Sequence, residues 1–214
     1  MITAVILAAG ESRRMGRLKQ VLSWGDRTVV EAAVDAALGA PEVDVVVAVL
    51  GHEAETVEAA LESRTRPRMR IAINPDYPLG MLSSVKAGVK ALGARVEAFL
   101  VTPADQPAIR SEDYSLVVEA YRRAQPPVDI VVPTFGGKGG HPTLFAGALR
   151  QEVLELPYSG QGLRDIVKRH ESRVARVEMG ERAVVEDLDT IEEYTRALES
   201  MHLDRARHGE RTRS

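Results

Sequence analysis

Apolar residues fall in two alternating arrangements along the chain. Five short runs, Thr3–Ala8, Val43–Leu50, Arg70–Asn74, Ala98–Thr102 and Asp129–Pro133, are rich in Val, Ile and Leu and continuous rather than alternating. Continuous apolarity predicts strands covered on both faces, the condition that parallel sheets impose. Between them, Thr28–Gly39, Ala54–Ser63, Ser83–Leu92 and Glu112–Ala124 carry apolar residues at helical spacing. Thr28 followed by Glu31 forms the pattern of a capping box, whereas Ser111 offers a plain N-cap. Strand–helix alternation of this kind predicts an α/β fold with a doubly wound, mostly parallel sheet.

After Pro133 the pattern changes. Residues 134–142 are glycine-rich and precede a short apolar piece, Thr143–Phe145, which predicts two strands around a flexible turn: an inserted β-hairpin, or flap, that closes over a site. Helical pieces are expected at Ala146–Glu155 and Gly162–His170, strands at Arg173–Glu178 and Ala183–Asp187, and a last helix from Ile191 to about Met201. The segment 204–214 carries four arginines and nothing to bury, the composition of a solvated, frayed tail. No internal repeat or linker divides the chain, so residues 1–203 are expected to form a single domain.

The 214 residues are 44% hydrophobic and 28% charged, which excludes an intrinsically disordered chain. A net charge of −3 argues against duplex nucleic acid as a partner. The absence of cysteine excludes disulfides, zinc–thiolate sites, iron–sulfur clusters and a cysteine nucleophile. The apolar N-terminus lacks a basic flank and meets Gly10 too soon for a signal peptide, and no run is long enough to span a membrane. A cytoplasmic protein without membrane association is expected.

The most informative segment is Leu7-Ala-Ala-Gly-Glu-Ser-Arg-Arg-Met-Gly-Arg-Leu-Lys-Gln20. It leaves a buried strand and enters a loop, and strand ends in open α/β sheets are where ligands bind. Ala8, Ala9 and Gly10 are small enough to let backbone N–H groups approach a nucleotide. Arg14 and Lys19 supply charge for a polyphosphate, the one as a fork of donors and the other as a point charge. Neither a P-loop nor the three-glycine dinucleotide fingerprint is present. Composition alone also fits a surface loop with solvated arginines.

The run Leu-Ala-Ala-Gly-x-Ser-x-Arg-Met-Gly-x-x-Lys resembles the signature of the MobA/MocA-like nucleotidyltransferases, which include the molybdenum cofactor guanylyl- and cytidylyltransferases, and the likeness extends roughly from Thr3 to Tyr194. It implies a Rossmann-like nucleotidyltransferase fold, with Leu7, Ala8, Ala9, Gly10, Arg14 and Lys19 among the nucleotide contacts. In Asn74-Pro-Asp-Tyr-Pro-Leu-Gly-Met-Leu-Ser-Ser84 a helix N-terminus follows a strand, and the resemblance makes Asn74, Gly80 and Ser84 contacts to base and ribose. Simple N-capping by Ser83 or Ser84 fits the same spacing.

In Leu100-Val-Thr-Pro-Ala-Asp-Gln-Pro107, Pro103 and Asp105 stand at a strand's carboxyl end, where one carboxylate suits magnesium shared with substrate phosphates. Asp105 corresponds to the family's metal-binding aspartate; an Asx turn before Pro107 is the plainer account. Gly140-His-Pro142 resembles the acceptor-side motif, with His141 as an acceptor contact rather than a general base, since an attacking phosphate is already anionic. Gly136, Gly137 and Lys138 are assigned to the same flap. Asp187 and Asp189 share one face if their segment is a strand, and the resemblance brings one of them to the metal, with Asp189 preferred. The pair also fits a role at the following helix N-terminus.

The resemblance thus implies a magnesium-dependent enzyme with Arg14, Lys19 and Asp105 catalytic, metal at Asp105 and at Asp189 or Asp187, and transfer of a nucleotidyl group to a phosphorylated acceptor with release of pyrophosphate. Ala9 and Gln106 match the cytidylyl branch, so CTP is the expected substrate and molybdopterin the implied acceptor, with a molybdoenzyme or chaperone as the implied partner. A cytidylyl- or uridylyltransferase for a sugar or polyol phosphate, a guanylyltransferase, and a non-catalytic nucleotide-binding module remain as alternatives.

Overall fold

A computed structural model describes residues 1–180 and 182–211, with side chains up to residue 201. In chain order the elements are β1 (Ile2–Ala8), β2 (Ser23–Trp24), β3 (Arg27–Thr28), α1 (Val29–Gly39), β4 (Val45–Leu50), α2 (Ala54–Glu62), β5 (Met69–Ile73), α3 (Met81–Lys90), β6 (Ala98–Pro103) and α4 (Ser111–Arg123). They continue with β7 (Ile130–Phe135), β8 (Lys138–Gly139), β9 (Thr143–Ala146), α5 (Arg150–Glu155), α6 (Leu163–Arg169), β10 (Val174–Glu178) and α7 (Ile191–Arg211). Every one of the first five expected strands and four expected helices forms, with bounds shifted by two residues or fewer.

The main sheet has the order β10-β7-β9-β6-β1-β4-β5, with β8 paired to β7. β1 lies at its centre between β4 and β6, parallel to both; β9 runs antiparallel between β6 and β7. The sheet is thus mixed but mostly parallel, as the apolar pattern implies. Its two faces explain the continuous apolarity: on β1, Ile2, Ala4, Ile6 and Ala8 pack with α1, α2 and α4, whereas Val5 and Leu7 pack with α3, α5 and α6 on the other face. Gly88 allows α3 to lie directly on the sheet, because a Cβ there would come within 2.3 Å of Val5 Cγ1.

The glycine-rich hairpin is present, and its returning strand β9 is woven into the sheet, fully buried between β6 and β7. Only the tip at Gly136, Gly137 and Lys138 projects, with both glycines at positive φ. Glu178 of β10 ties the tip down: one carboxylate oxygen accepts from Gly136 N–H and the other from the Thr134 hydroxyl. These bonds hold its carboxyl below the usual carboxylate range.

Two expectations are corrected. Ala183–Asp187 is not a strand: Arg182–Val185 forms a 3-10 turn, and the backbone from Glu186 to Asp189 joins no sheet. A three-residue apolar run fits a strand or a turn equally well, and here Val184 is buried against the hairpin, its carbonyl accepting from His141 N–H at 2.8 Å. The last helix continues past Met201 to Arg211. The expected frayed tail falls on residues whose side chains lie outside the described set, and 212–214 lie outside it altogether. No helix among the described residues is long and apolar enough to cross a membrane.

The expected capping box at α1 is formed: Thr28 Oγ1 accepts from Glu31 N–H, and the Glu31 carboxylate accepts from Thr28 N–H at 2.8 Å. Burial would raise the Glu31 pKa, but hydrogen bonds from Thr28, Ser63 and Arg66 outweigh it and bring the value from 4.5 to about 2. A depressed carboxyl stabilises the fold above its unfolded pKa and ceases to do so as pH falls toward the folded one. Glu31→Gln should therefore lower the unfolding free energy by on the order of 3 kcal/mol at pH 7. In urea titrations its difference from the parent protein should shrink between about pH 4.5 and pH 2; a deficit unchanged with pH would contradict the assignment. Gly88→Ala should destabilise by about 1–3 kcal/mol through overpacking, read in the same titration.

Candidate active site

The carboxyl ends of β1, β5 and β6 open onto a cleft of about 460 Å³. One wall is the loop after β1, the opposite wall is Tyr77 to Ser84 at the start of α3, and the floor is Pro103 to Asp105 with Asp189. The loop is held from within by Gln20, whose amide is buried and donates to the carbonyls of Ala8 (3.3 Å) and Gly10 (2.8 Å). Ser12, in the left-handed region at φ 54°, accepts from Lys19 N–H through its hydroxyl oxygen at 3.1 Å. These two side chains fold the loop so that Lys19 points back to the floor.

There the chemistry converges. Lys19 Nζ is 2.5 Å from Asp105 Oδ2 and 3.3 Å from both Asp189 Oδ1 and the Leu188 carbonyl oxygen. Arg14, largely exposed, reaches Asp189 Oδ2 at 2.7 Å. The other Asp105 oxygen, Oδ1, is buried with no hydrogen-bond partner among the described residues. Asp189 is carried here by Leu188, which is buried beside Trp24 and α7 and whose N–H donates to the Asp105 carbonyl at 2.9 Å. Glu193 accepts from the N–H groups of Asp189 and Thr190, while Thr190 Oγ1 accepts from Glu193 N–H. Glu193 therefore caps α7, which leaves Asp189 free for the cluster.

Asp187 goes elsewhere. Because its segment is not a strand, it does not share a face with Asp189; it accepts from Gln106 Nε2 at 2.7 Å and does not line the cleft. Burial, and next the charge of Asp105, raise its pKa. Of the two carboxylates expected near the metal, the structure therefore brings Asp189 to Asp105 and holds Asp187 on Gln106.

Most of the expected nucleotide contacts line the cleft: Leu7, Ala9, Gly10, Arg14, Lys19, Gly80, Ser84, Pro103 and Asp105. Ala8 and Asn74 do not. Ala8 is buried in the core, and Asn74 is buried beneath the wall, where its amide donates to Ser83 Oγ (2.9 Å) and Ser84 Oγ (3.0 Å). Ser83 donates to the Gly80 carbonyl, and neither serine caps α3, whose N-cap Gly80 has no side-chain capping bond. Ser84 accepts from Asn74 and keeps its own proton for the cleft. Thus Asn74 orients Ser84, which lines the cleft, and does not face the cleft itself.

Gly140, His141 and Pro142 lie at the foot of the hairpin and do not line the cleft. Gly140 leaves no room for a side chain, since a Cβ would fall 2.0 Å from the Val184 carbonyl oxygen. His141 Nδ1 is 3.1 Å from the Val101 carbonyl oxygen, which makes Nδ1 the protonated nitrogen. Burial lowers its pKa, against the opposing effects of that bond and of Asp105. A neutral imidazole results.

Tyr77 and Pro78 of the cleft wall, and Gln20 and Ser12 within the first loop, are not singled out by the sequence pattern. Gly51 is the missing signal for Tyr77. A Cβ at Gly51 would meet Tyr77 Cβ at 2.7 Å and Ala9 Cβ at 2.8 Å, so the end of β4 must be glycine for Ala9 and Tyr77 to close together. A larger hollow of about 920 Å³ opens beyond Leu188, between α1 and α7. Asp189 borders both spaces, whereas Lys19, Arg14 and Asp105 line only the smaller cleft.

The donor set fits a hard divalent cation. Among the described residues no group of three or more His, Asp or Glu side chains is arranged to hold an ion alone. Asp105 and Asp189 offer a pair, and the unpartnered Asp105 Oδ1 is a buried anionic oxygen that calls for a cation. Two carboxylates completed by phosphate oxygens are what magnesium accepts in nucleotide sites.

Known proteins resemble this chain over nearly its whole length. The model of the MobA-like NTP transferase domain matches residues 4–174. The nicotine blue oxidoreductase of Paenarthrobacter nicotinovorans is 30% identical over 207 residues, covering 92% of this chain and 96% of its own. The molybdenum cofactor cytidylyltransferase of Escherichia coli is 26% identical over 198 residues, with the same coverage. Among solved structures, Rv0371C of Mycobacterium tuberculosis in complex with manganese superposes with a TM-score of 0.73 at 27% identity, over 93% of this chain and 98% of the other. The floor carboxylates, the charged loop and a match over most of the chain lead to one statement: this protein belongs to the family of MobA-like NTP transferase domains.

Proposed function

We propose that the protein is a metal-dependent cytidylyltransferase that moves CMP from CTP to the phosphate of a small phosphorylated acceptor, of which molybdopterin is the first candidate. The observation that carries this reading is the cleft floor, where Asp105 with a free buried oxygen, Asp189, Lys19 and Arg14 converge from three separate segments. Charges of both signs in one small cleft suit a triphosphate with its cation. An acceptor phosphate oxygen forms the new bond to the α-phosphorus, the bond from that phosphorus to the bridging oxygen breaks, and pyrophosphate leaves with that oxygen.

A divalent cation held by Asp105 and Asp189 would supply charge stabilisation at the α-phosphate. The chain's own residues do the rest. Lys19 and Arg14 carry the positive charge that meets the departing pyrophosphate. The Ser84 hydroxyl, oriented by Asn74, donates into the nucleotide side of the cleft. The cleft-lining serines, Ser12 and Ser84, bond the amides of Gln20 and Asn74 rather than a histidine or carboxylate among the described residues, which favours direct transfer over a serine-bound intermediate. His141, pinned to the Val101 carbonyl through Nδ1, is assigned to the acceptor side, where an attacking phosphate is already anionic and needs no base. A cytoplasmic location and delivery of the product to a molybdoenzyme, directly or through a chaperone, follow from the same reading.

The choice of CTP is supported by the Escherichia coli relative named as a cytidylyltransferase and by the Ala9 methyl, which lines the cleft. A methyl there narrows the base pocket, and a pyrimidine is smaller than a purine. Calorimetric titration with CTP, GTP, UTP and ATP, each with magnesium, should show CTP binding most tightly. A preference for GTP would overturn the base assignment; binding of none would overturn the enzyme reading. Pyrophosphate release in the presence of molybdopterin, compared with sugar and polyol phosphates, tests the acceptor. Asp105→Asn should reduce turnover at least a hundredfold while leaving the urea midpoint close to that of the parent; full activity would remove Asp105 from the metal site.

A further inference from the structure

Lys19 stands where a cation held by the floor carboxylates would stand. Its ammonium contacts Asp105 Oδ2, Asp189 Oδ1 and the Leu188 carbonyl oxygen, an oxygen donor set drawn from two segments. Carboxylates and a carbonyl are the donors a hard divalent cation selects, and here a compact point charge on a flexible stem takes them. The lysine side chain is only 13% exposed, so its charge is turned away from the open cleft and toward the floor. A residue meant solely to grip phosphates would gain nothing from that orientation, and the same oxygens cannot serve the ammonium and a dication fully at once.

We propose that Lys19 is an exchangeable counter-ion of the metal position: it neutralises Asp105 and Asp189 in the empty cleft and passes to the nucleotide's phosphates when the metal arrives with them. This rests on the reading of the cleft as a metal–nucleotide site. The charges around the position are Arg14 and Lys19 against Asp105, Asp187 and Asp189, with Asp187 engaged by Gln106. Two cations thus face at most three anions, leaving little net attraction for a free dication, which would also have to expel the ammonium into a cleft whose remaining carboxylate, Glu11, is already paired with Arg13. A triphosphate changes both conditions, since it brings negative charge for the metal and a new partner for the lysine. Arg14 can follow the same course from Asp189 Oδ2, but being largely exposed it does not hold the shared oxygens against an incoming ion. The consequence is ordered loading: the protein holds metal weakly until nucleotide is present, and Lys19 is the group that makes it so.

The test is a titration of the full chain with Mn²⁺, with and without CTP, following the electron paramagnetic resonance of free Mn²⁺ and the water-proton relaxation of the protein-bound ion. The parent protein should bind Mn²⁺ weakly alone and at least tenfold more tightly with CTP. Lys19→Gln and Lys19→Met remove the ammonium; in either one, nucleotide-free Mn²⁺ binding should strengthen at least tenfold while CTP binding weakens. Circular dichroism confirms the fold of each, and one folded variant suffices. Tight Mn²⁺ binding by the nucleotide-free parent would overturn the proposal. So would variants that bind nucleotide-free Mn²⁺ no better than the parent, even while CTP still tightens it there. If the parent fails to bind Mn²⁺ even with CTP, the reading of the cleft itself fails.

Discussion

The contact between the Lys19 ammonium and the carboxylates of Asp105 and Asp189 is the constraint on which the rest of the site depends. It ties together residues 86 and 170 positions apart in the chain, so it can form only when the whole domain has closed. A partly buried carboxylate is tolerable only with a cation nearby. Asp105 has one oxygen on Lys19 and the other buried without a hydrogen-bond partner among the described residues, so Lys19 is the cation that offsets its charge.

Three separate packing arrangements hold the three partners. Asp105 follows β6, whose last residue, Pro103, pairs with Leu7 on β1, so the carboxylate sits at the centre of the sheet's edge. Lys19 is turned inward by Gln20 and Ser12, which fold the loop onto its own backbone. Asp189 is delivered by Leu188, which fills the space between Trp24 and α7, while the Tyr194 hydroxyl donates to the Ser23 carbonyl at 2.6 Å and fixes the helix to the β2–β3 ribbon. The cluster of Trp24, Leu188 and α7 therefore serves the active site although none of its apolar members carries chemistry.

The regular core was readable in the sequence because burial on both sheet faces leaves an unbroken apolar signature, as on β1 and β4. The capping box at Thr28 and Glu31 was readable because it is a local contact at fixed spacing. The first loop was readable through its small and basic residues. The path of 182–189 was not, because a short apolar run does not reveal whether its partners are strands or a hairpin's foot. That gap is why Asp187 and Asp189 were assigned a common face that they do not share. Likewise the resemblance implies Asn74 and His141 as contact residues, whereas only the fold shows the Asn74 amide on Ser83 and Ser84 and His141 Nδ1 on the Val101 carbonyl.

The central claim is that the small cleft is where the triphosphate and its metal meet. A crystal structure with CTP and Mg²⁺ would examine it most directly. The account predicts a metal touching Asp105 and Asp189, the triphosphate against Arg14 and Lys19, and the cytosine beside Ala9 and Tyr77. A triphosphate bound instead in the larger hollow between α1 and α7, with Lys19 still on Asp105 and Asp189, would contradict it.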